Sequence, residues 1–342
     1  MDNKISDSTA NPDLLIQIRD SIYAADLLVT AIARLDFFTV LSDNPSDLNT
    51  LCKRFKIQKR PADVMLTYFK SLGLIKEENG IYSTKEKSDT YLTSGSRLSL
   101  VPYYSTLKER PIVDKMLSVL QTGKPASWSG KKDGLSWENE MNKEEFAEKF
   151  TAGMDSRGNY FAPGLADNFD FTKYNSIIDV AGASGIYALR IKDKYPRLKA
   201  ALFEKPPVDE IAKISLAKKG LANEIEIFSG DMFVDSLPKG FDIHLYSHVF
   251  HDWDFEENRR LVRNSYDSLN KNGIIMIHDA HLDEDKTGPL SVAEYSILLM
   301  FSTTGKCYSV GEMGELLETE GFTNIQFRPT IGNRSIITGK KQ

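Results

Sequence analysis

The sequence predicts an α/β protein in which a parallel, Rossmann-like sheet forms the back half and a mainly helical, winged-helix unit forms the front. Three observations carry this prediction. From Ser176 onward short apolar strands alternate with helical stretches, the signature of a parallel sheet covered on both faces. A glycine-bearing turn, Asp179-Val-Ala-Gly-Ala-Ser-Gly185, joins the first of these strands to a helix. Ahead of them, two short helical segments and a hairpin follow one another between Ser46 and Tyr82. The chain has 342 residues, more than one hydrophobic core usually supports, so two domains are expected.

In chain order, Leu14, Leu15, Ile18, Ile22, Leu27, Leu28, Ala31 and Leu35 recur at three- and four-residue spacings, which predicts a helix from Pro12 to about Leu41 with one buried face. Helices Ser46 to Phe55 and Pro61 to Leu72 follow, the second opening on a proline and stopped by Gly73. Leu74 to Tyr82 surrounds Glu78-Asn79-Gly80 and reads as a hairpin. The cluster Lys53, Arg54, Lys56, Lys59 and Arg60 raises nucleic-acid binding, but acids and bases balance over the first hundred residues. A solvated loop between helices is the plainer reading of that cluster. Trp128 to Glu145 is polar and glycine-rich, a surface connection, and Phe146 to Phe161 is a further helix. The strands of the sheet are expected at Ser176 to Ala181, Lys199 to Phe203, Ile225 to Ser229, Asp242 to Ser247 and Gly273 to His278. A helix Gly311 to Glu320 and an antiparallel pair around Ile325 to Phe327 and Ser335 to Thr338 close the sheet.

Charge and composition exclude several classes. With 41% hydrophobic and 27% charged residues the chain is neither disordered nor fibrous, and a net charge of -5 provides no electrostatic pull toward nucleic acid or an anionic membrane. No apolar run approaches the roughly 20 residues of a membrane-spanning helix. The polar start, Met1 to Arg19, lacks the features of a signal peptide. Two distant cysteines, Cys52 and Cys307, fit a reducing compartment, so the expected location is the cytoplasm.

The turn discriminates among nucleotide cofactors. A dinucleotide site requires G-x-G-x-x-G for close approach of a pyrophosphate, whereas Ala181 and Ala183 stand at the first two glycine positions here and Gly182 and Gly185 remain. S-adenosylmethionine has no pyrophosphate and tolerates that change. Glu204 ends the second strand nineteen residues beyond Gly185, where an acid accepts hydrogen bonds from ribose hydroxyls. After the third strand, Asp231 is placed for an adenine amino group and Met232 and Phe233 for the ring. Surface charge, turn and core are the bland alternatives for these residues. All five histidines lie between His244 and His281, and four of them, His248, His251, His278 and His281, form two H-x-x-H pairs at strand ends rather than on one helix, so no metal site is expected. P-loop and nucleophile-elbow motifs are absent from the sequence.

Taken with Tyr23-Ala-Ala-Asp-Leu-Leu, Leu72-Gly-Leu-Ile75, Glu204-Lys-Pro-Pro-Val208, Gly230-Asp-Met-Phe233, His251-Asp-Trp253 and Gly321-Phe322, the chain resembles the plant-type O-methyltransferase family and its bacterial relatives over nearly its whole length. The resemblance implies a class I methyltransferase domain, over residues 166–342. It also implies a winged-helix dimerisation domain over 1–100, a helical region over 101–165 that contributes to the acceptor pocket, and a homodimer. It assigns S-adenosylmethionine as cofactor, with S-adenosylhomocysteine as product, and a small aromatic or polyketide-like hydroxyl compound as acceptor. By the same resemblance Ser247 and Trp253 lie at the adenine, His251 is the general base and Asp279 orients it. Phenolic oxygens need such a base, and histidine titrates near neutral pH. The helices around Phe146 to Phe161 and Ser291 to Thr303 are expected to roof the cofactor, bringing Met154, Tyr160 and Met300, with Phe161 and Phe301, to the pocket, and Cys307 is expected to line it as well. Cys307 departs from the pattern, standing where family members with a histidine base carry a second glutamate. That departure leaves open a non-methylating reaction with the same cofactor, and the winged helix leaves open a ligand-sensing regulator.

Overall fold

The computed structural model describes residues 11–126 and 140–342. Where the apolar spacing predicts one helix, the chain forms three: α1 (Asp13–Asp20), α2 (Ala24–Ala33) and α3 (Phe37–Asp43). The backbone leaves the helical path at residues 21–23 and again at Asp36, whose φ of 47° is left-handed. The breaks aim the segments differently, so the expectation of one buried face fails for the first. Leu27 and Ala31 are fully buried, whereas Leu14, Leu15, Ile18 and Ile22 are 53–71% exposed.

The winged helix is present as β1 (Ser46–Asp47), α4 (Leu48–Phe55), α5 (Lys59–Ser71), β2 (Ile75–Glu78) and β3 (Ile81–Thr84), with antiparallel strand order β1-β3-β2. Asp47 caps α4 by accepting from the Asn49 and Thr50 amides at 2.9 and 3.1 Å. Pro61 is the third residue of α5 rather than the first, still within the turn whose amides have no intrahelical partner. Asn79 and Gly80, both at positive φ, make the two-residue hairpin turn that matches strand twist.

Three helices follow, α6 (Glu86–Tyr91), α7 (Val101–Ser105) and α8 (Pro111–Thr122), and then the 25-residue α9 (Glu144–Asn168), longer at both ends than the apolar pattern predicts. Of the expected surface connection, residues 128–139 lie outside the described residues, and Glu144 and Glu145 belong to α9.

The back half alternates strand and helix: β4 (Ser176–Val180), α10 (Ile186–Lys194), β5 (Lys199–Glu204), α11 (Val208–Lys218), β6 (Glu226–Ser229), β7 (Ile243–Ser247), α12 (Phe255–Ser268) and β8 (Ile274–Asp279). It ends with α13 (Leu290–Ser302), α14 (Val310–Thr319), β9 (Thr323–Pro329) and β10 (Ser335–Lys340). The sheet order is β6-β5-β4-β7-β8-β10-β9, parallel through β8, with β10 inserted antiparallel between β8 and β9. Period-two alternation splits its core: Ile177, Leu202, Leu245 and Met276 pack on one face, Ile178, Phe203, Tyr246 and Ile277 on the other. Among the described residues no helix is long and apolar enough to cross a membrane.

The two halves share a core. Leu298, Leu299, Met300 and Phe301 of α13 cluster with Leu27, Met65 and Phe69 of the front half, and Phe301 stacks on Tyr23 at 4.2 Å. Beside this seam Asp63 of α5 and Glu312 of α14 share two lysines. Lys306 Nζ donates to them at 2.5 and 2.6 Å, and Lys286 Nζ at 3.0 and 2.8 Å. Burial pushes the Asp63 carboxyl up, but Lys306 and Lys286 outweigh it and hold it at about 2. A carboxylate held low stabilises the fold above its unfolded value near 4 and loses that contribution as pH falls toward 2. Removing one member of a buried charge cluster strands the others, so Asp63→Ala is expected to destabilise by about 3 kcal/mol. Chemical denaturation checks this, and the wild-type midpoint should fall between pH 4 and pH 2 while the variant's falls less.

Candidate functional site

Strand order reverses between β5-β4 and β4-β7, and such a switch point opens a crevice at the carboxyl ends of the strands. A cavity of about 260 Å³ lies there. Its floor is the turn after β4. Ala181 and Ala183 sit in the left-handed region at φ 55° and 53°, a conformation that costs an L-residue about 1–2 kcal/mol relative to glycine. At Gly182 a Cβ would overlap the Asp179 carboxyl.

Gly182, Glu204, Asp231, Met232, Phe233, Ser247, His251, Trp253 and Met154 line this one cavity, although they come from five segments of chain. Glu204 accepts the Ala183 and Lys205 amides at 3.0 and 2.9 Å. Burial nevertheless raises its carboxyl to about 7, and burial followed by the nearby Glu204 raises Asp179 to about 8. The Asp231 carboxylate accepts the Phe233 amide at 2.9 Å, which holds the turn, and Phe233 meets Trp253 edge to face at 4.6 Å.

His251 lies just past β7 in a short 3₁₀ turn, 3% exposed. Its Nδ1 is 2.5 Å from Asp279 Oδ1, and Asp279 also accepts the Ala280 amide at 2.7 Å. Burial would raise the Asp279 carboxyl, but His251 beside it holds it at about 2, so it stays an anion. The other nitrogen, Nε2, stands 3.4 Å from the Tyr295 hydroxyl. His248, His251 and Asp279 each offer a donor atom within 4.8 Å of the others.

The acceptor wall differs from the expectation. Tyr160, Met300 and Cys307 do not line the cavity. Met300 and Cys307 are fully buried in the front-half core, which α13 enters with that side of the helix, and Tyr160 turns its hydroxyl to Asn11 at 3.3 Å. Phe161 and Phe301 are likewise core residues. In their place stand Arg157, Tyr295, Leu298 and Leu299, with Arg157 Nη1 donating to the Tyr295 hydroxyl at 3.0 Å. Helical spacing from Met154 brings Arg157 to the same face of α9, a signal available in the sequence. Nothing local marks Tyr295, whose place depends on how α13 docks.

S-adenosylmethionine fits these residues. Among the described residues Ser247 Oγ and both ring nitrogens of His248 are buried without a hydrogen-bond partner, and both residues face the cavity, where a polar ligand could complete them. Glu204 provides an acceptor for ribose hydroxyls and Phe233 with Trp253 an aromatic surface for a base.

This sheet, with its reversed seventh strand and an acid at the end of β5, defines a class I S-adenosylmethionine-dependent methyltransferase. Residues 116–323 match the family model of the O-methyltransferase domain, and the chain belongs to that family. It is 26% identical over 321 residues to 3-hydroxy-5-methyl-1-naphthoate 3-O-methyltransferase from Streptomyces sahachiroi, covering 92% of this chain and 90% of that one. The crystal structure of an O-methyltransferase family 2 protein from Planctomyces limnophilus, in complex with apigenin, superposes with a TM-score of 0.87 at 26% identity, over 98% and 97% of the two chains. Human N-acetylserotonin methyltransferase in complex with S-adenosylmethionine shares the fold, at a TM-score of 0.61 and 23% identity over 98% and 99%. The protein is an S-adenosylmethionine-dependent O-methyltransferase.

As the ribose acceptor expected from the sequence, Glu204 would bind two hydroxyls best as the carboxylate. Since its carboxyl titrates at about 7, affinity for S-adenosylhomocysteine is expected to weaken as pH falls, by about tenfold from pH 8 to pH 6. Calorimetry at both values checks this, and Glu204→Gln should bind weakly with little pH dependence.

Proposed function

We propose that the protein methylates a hydroxyl of a flat aromatic or polyketide-like acceptor, with His251 as general base. The observation that carries this reading is the His251–Asp279 pair: one ring nitrogen is tied to a buried carboxylate and the other is turned to the cavity. Asp279 holds the tautomer whose Nε2 lone pair faces the cavity beside the Tyr295 hydroxyl, and it stabilises the imidazolium formed when a proton arrives. S-adenosylmethionine, when bound, supplies an electrophilic methyl group on a sulfonium. Gly182, Glu204, Asp231, Met232, Phe233, Ser247 and Trp253 hold it; Met154, Leu298 and Leu299 orient the acceptor and exclude water. The relative named for a hydroxynaphthoate and the neighbour bound to apigenin support a phenolic acceptor.

Cys307 does not weaken this reading, because its thiol is buried in the front-half core. The regulator alternative finds no support: Pro61, Ala62 and Val64 through Phe69 of α5, the helix a winged-helix regulator would lay in a DNA groove, are buried. We further assign residues 1–100 to dimerisation, 101–165 to the acceptor region and 166–342 to catalysis, in a cytoplasmic homodimer. The apolar face Leu14, Leu15, Ile18 and Ile22, left exposed in the monomer, favours burial against a second copy.

Methyl transfer to a panel of hydroxynaphthoates and flavones, followed by mass spectrometry, tests the reading. His251→Ala is expected to lower kcat by about 10²- to 10⁴-fold while S-adenosylhomocysteine still binds. An unchanged kcat sinks the assignment of the base. Sedimentation should report a dimer for the wild type and a monomer for the Leu15→Asp, Ile18→Asp pair; a monomeric wild type removes the dimer.

A further inference from the structure

We propose that Arg60, in the first turn of α5, is a positioning residue for the catalytic segment His251 to Trp253, acting through the backbone of Gly305. The proposal rests on the reading of His251 as the base.

Arg60 belongs to the basic cluster whose plainer reading is a solvated loop, yet it is turned inward. Nη1 donates to the Gly305 carbonyl at 2.6 Å, and Nη2 to the Gly123 and Met300 carbonyls at 2.7 and 3.4 Å. All three acceptors are backbone oxygens, from three separate segments: the end of α8, the end of α13 and the loop 303–309. A guanidinium presents its donors in a rigid plane and can hold three segments in one geometry, which a lysine's single ammonium cannot.

The loop so held packs on the backbone that carries the base. A Cβ at Gly305 would overlap the His251 carbonyl oxygen and the Asp252 carbonyl carbon, so the two backbones are in direct contact. Flanking residues tie the same surfaces: Thr304 Oγ1 donates to the Asp252 carbonyl at 3.2 Å and the Tyr308 hydroxyl to the Trp253 carbonyl at 2.7 Å. Lys306, beside Gly305, is anchored on Asp63, one turn along α5 from Arg60. The catalytic 3₁₀ turn is therefore backed by a loop whose position the front half sets. Interiors are close-packed and pass displacement on, and a misplacement of about 1 Å can cost about 10²-fold in rate.

The test uses the full chain in four variants, Arg60→Ala, Arg60→Lys, Gly305→Ala and the double Arg60→Ala, Gly305→Ala, with kcat expressed per S-adenosylhomocysteine-binding site so that unfolded protein does not count. Arg60→Ala is expected to lose at least about tenfold in kcat, with a smaller loss of S-adenosylhomocysteine affinity because Trp253 moves with the same segment. The basic and acidic limbs of its pH–kcat profile should be displaced, because the His251–Asp279 geometry has shifted. Arg60→Lys should recover part of the loss. Gly305→Ala should show the same pattern, and the double variant should be no worse than the poorer single, since both act through one contact. Wild-type kcat per site and an unmoved pH profile in Arg60→Ala overturn the proposal and leave Arg60 a strut for stability alone. Should Arg60→Ala not fold, Arg60→Gln decides by the same readouts. His251→Ala separates the two readings. If it keeps its activity, the base assignment fails; if it is inactive while Arg60→Ala is not impaired, only the positioning role fails.

Discussion

A sheet of parallel strands can grow in two directions from its first strand only if the chain reverses between them, and in this protein the reversal falls on either side of β4. Helices must then leave in opposite directions on the two sides, so nothing fills the carboxyl edge where they part. Every residue of the cofactor site depends on that gap. The turn after β4, the end of β5, the turn after β6 and the segment after β7 converge there because parallel strands end together. The acid at Glu204 and the histidine at His251 are 47 positions apart in sequence and neighbours in the crevice for this reason alone.

Filling the crevice with polar groups costs stability. Asp179 and Glu204 are buried together and both titrate well above the carboxylate range, the Ser247 hydroxyl and the His248 ring nitrogens have no hydrogen-bond partner among the described residues, and two alanines adopt a left-handed backbone. Functional sites commonly hold such strain against the rest of the fold. Here the surrounding structure includes the apolar layers on both faces of the sheet and the lysine–carboxylate cluster at the seam.

The catalytic half is not independent of the front half. Helix α13 belongs to the back half in sequence but to the front-half core in packing. One of its faces supplies Tyr295 and Leu298 to the cavity while another buries Met300 and Phe301 against the winged helix. A helix with apolar residues on all sides, as α13 has, is what such a double role requires. The front half thus sets the acceptor wall, and through Arg60 and Asp63 it also sets the loop behind His251.

What the sequence determined by itself is what local chemistry and strand periodicity dictate: the parallel sheet, the glycine turn, the acid nineteen residues on, the hairpin turned by Asn79 and Gly80, and the histidine and aspartate at two strand ends. Strand ends share an edge whatever surrounds them, so residues there could be assembled on paper. Tertiary structure alone decided the rest. Three helices replaced one because a left-handed Asp36 and the break before Tyr23 are not visible in apolar spacing. Arg157 was within reach of its helical spacing from Met154, but Tyr160, Met300 and Cys307 left the cavity, Tyr295 entered it and Arg60 turned inward, because no local pattern marks which side of an element meets a ligand and which meets a neighbouring core. That choice is made by docking, through contacts between residues as far apart as Arg60 and Gly305.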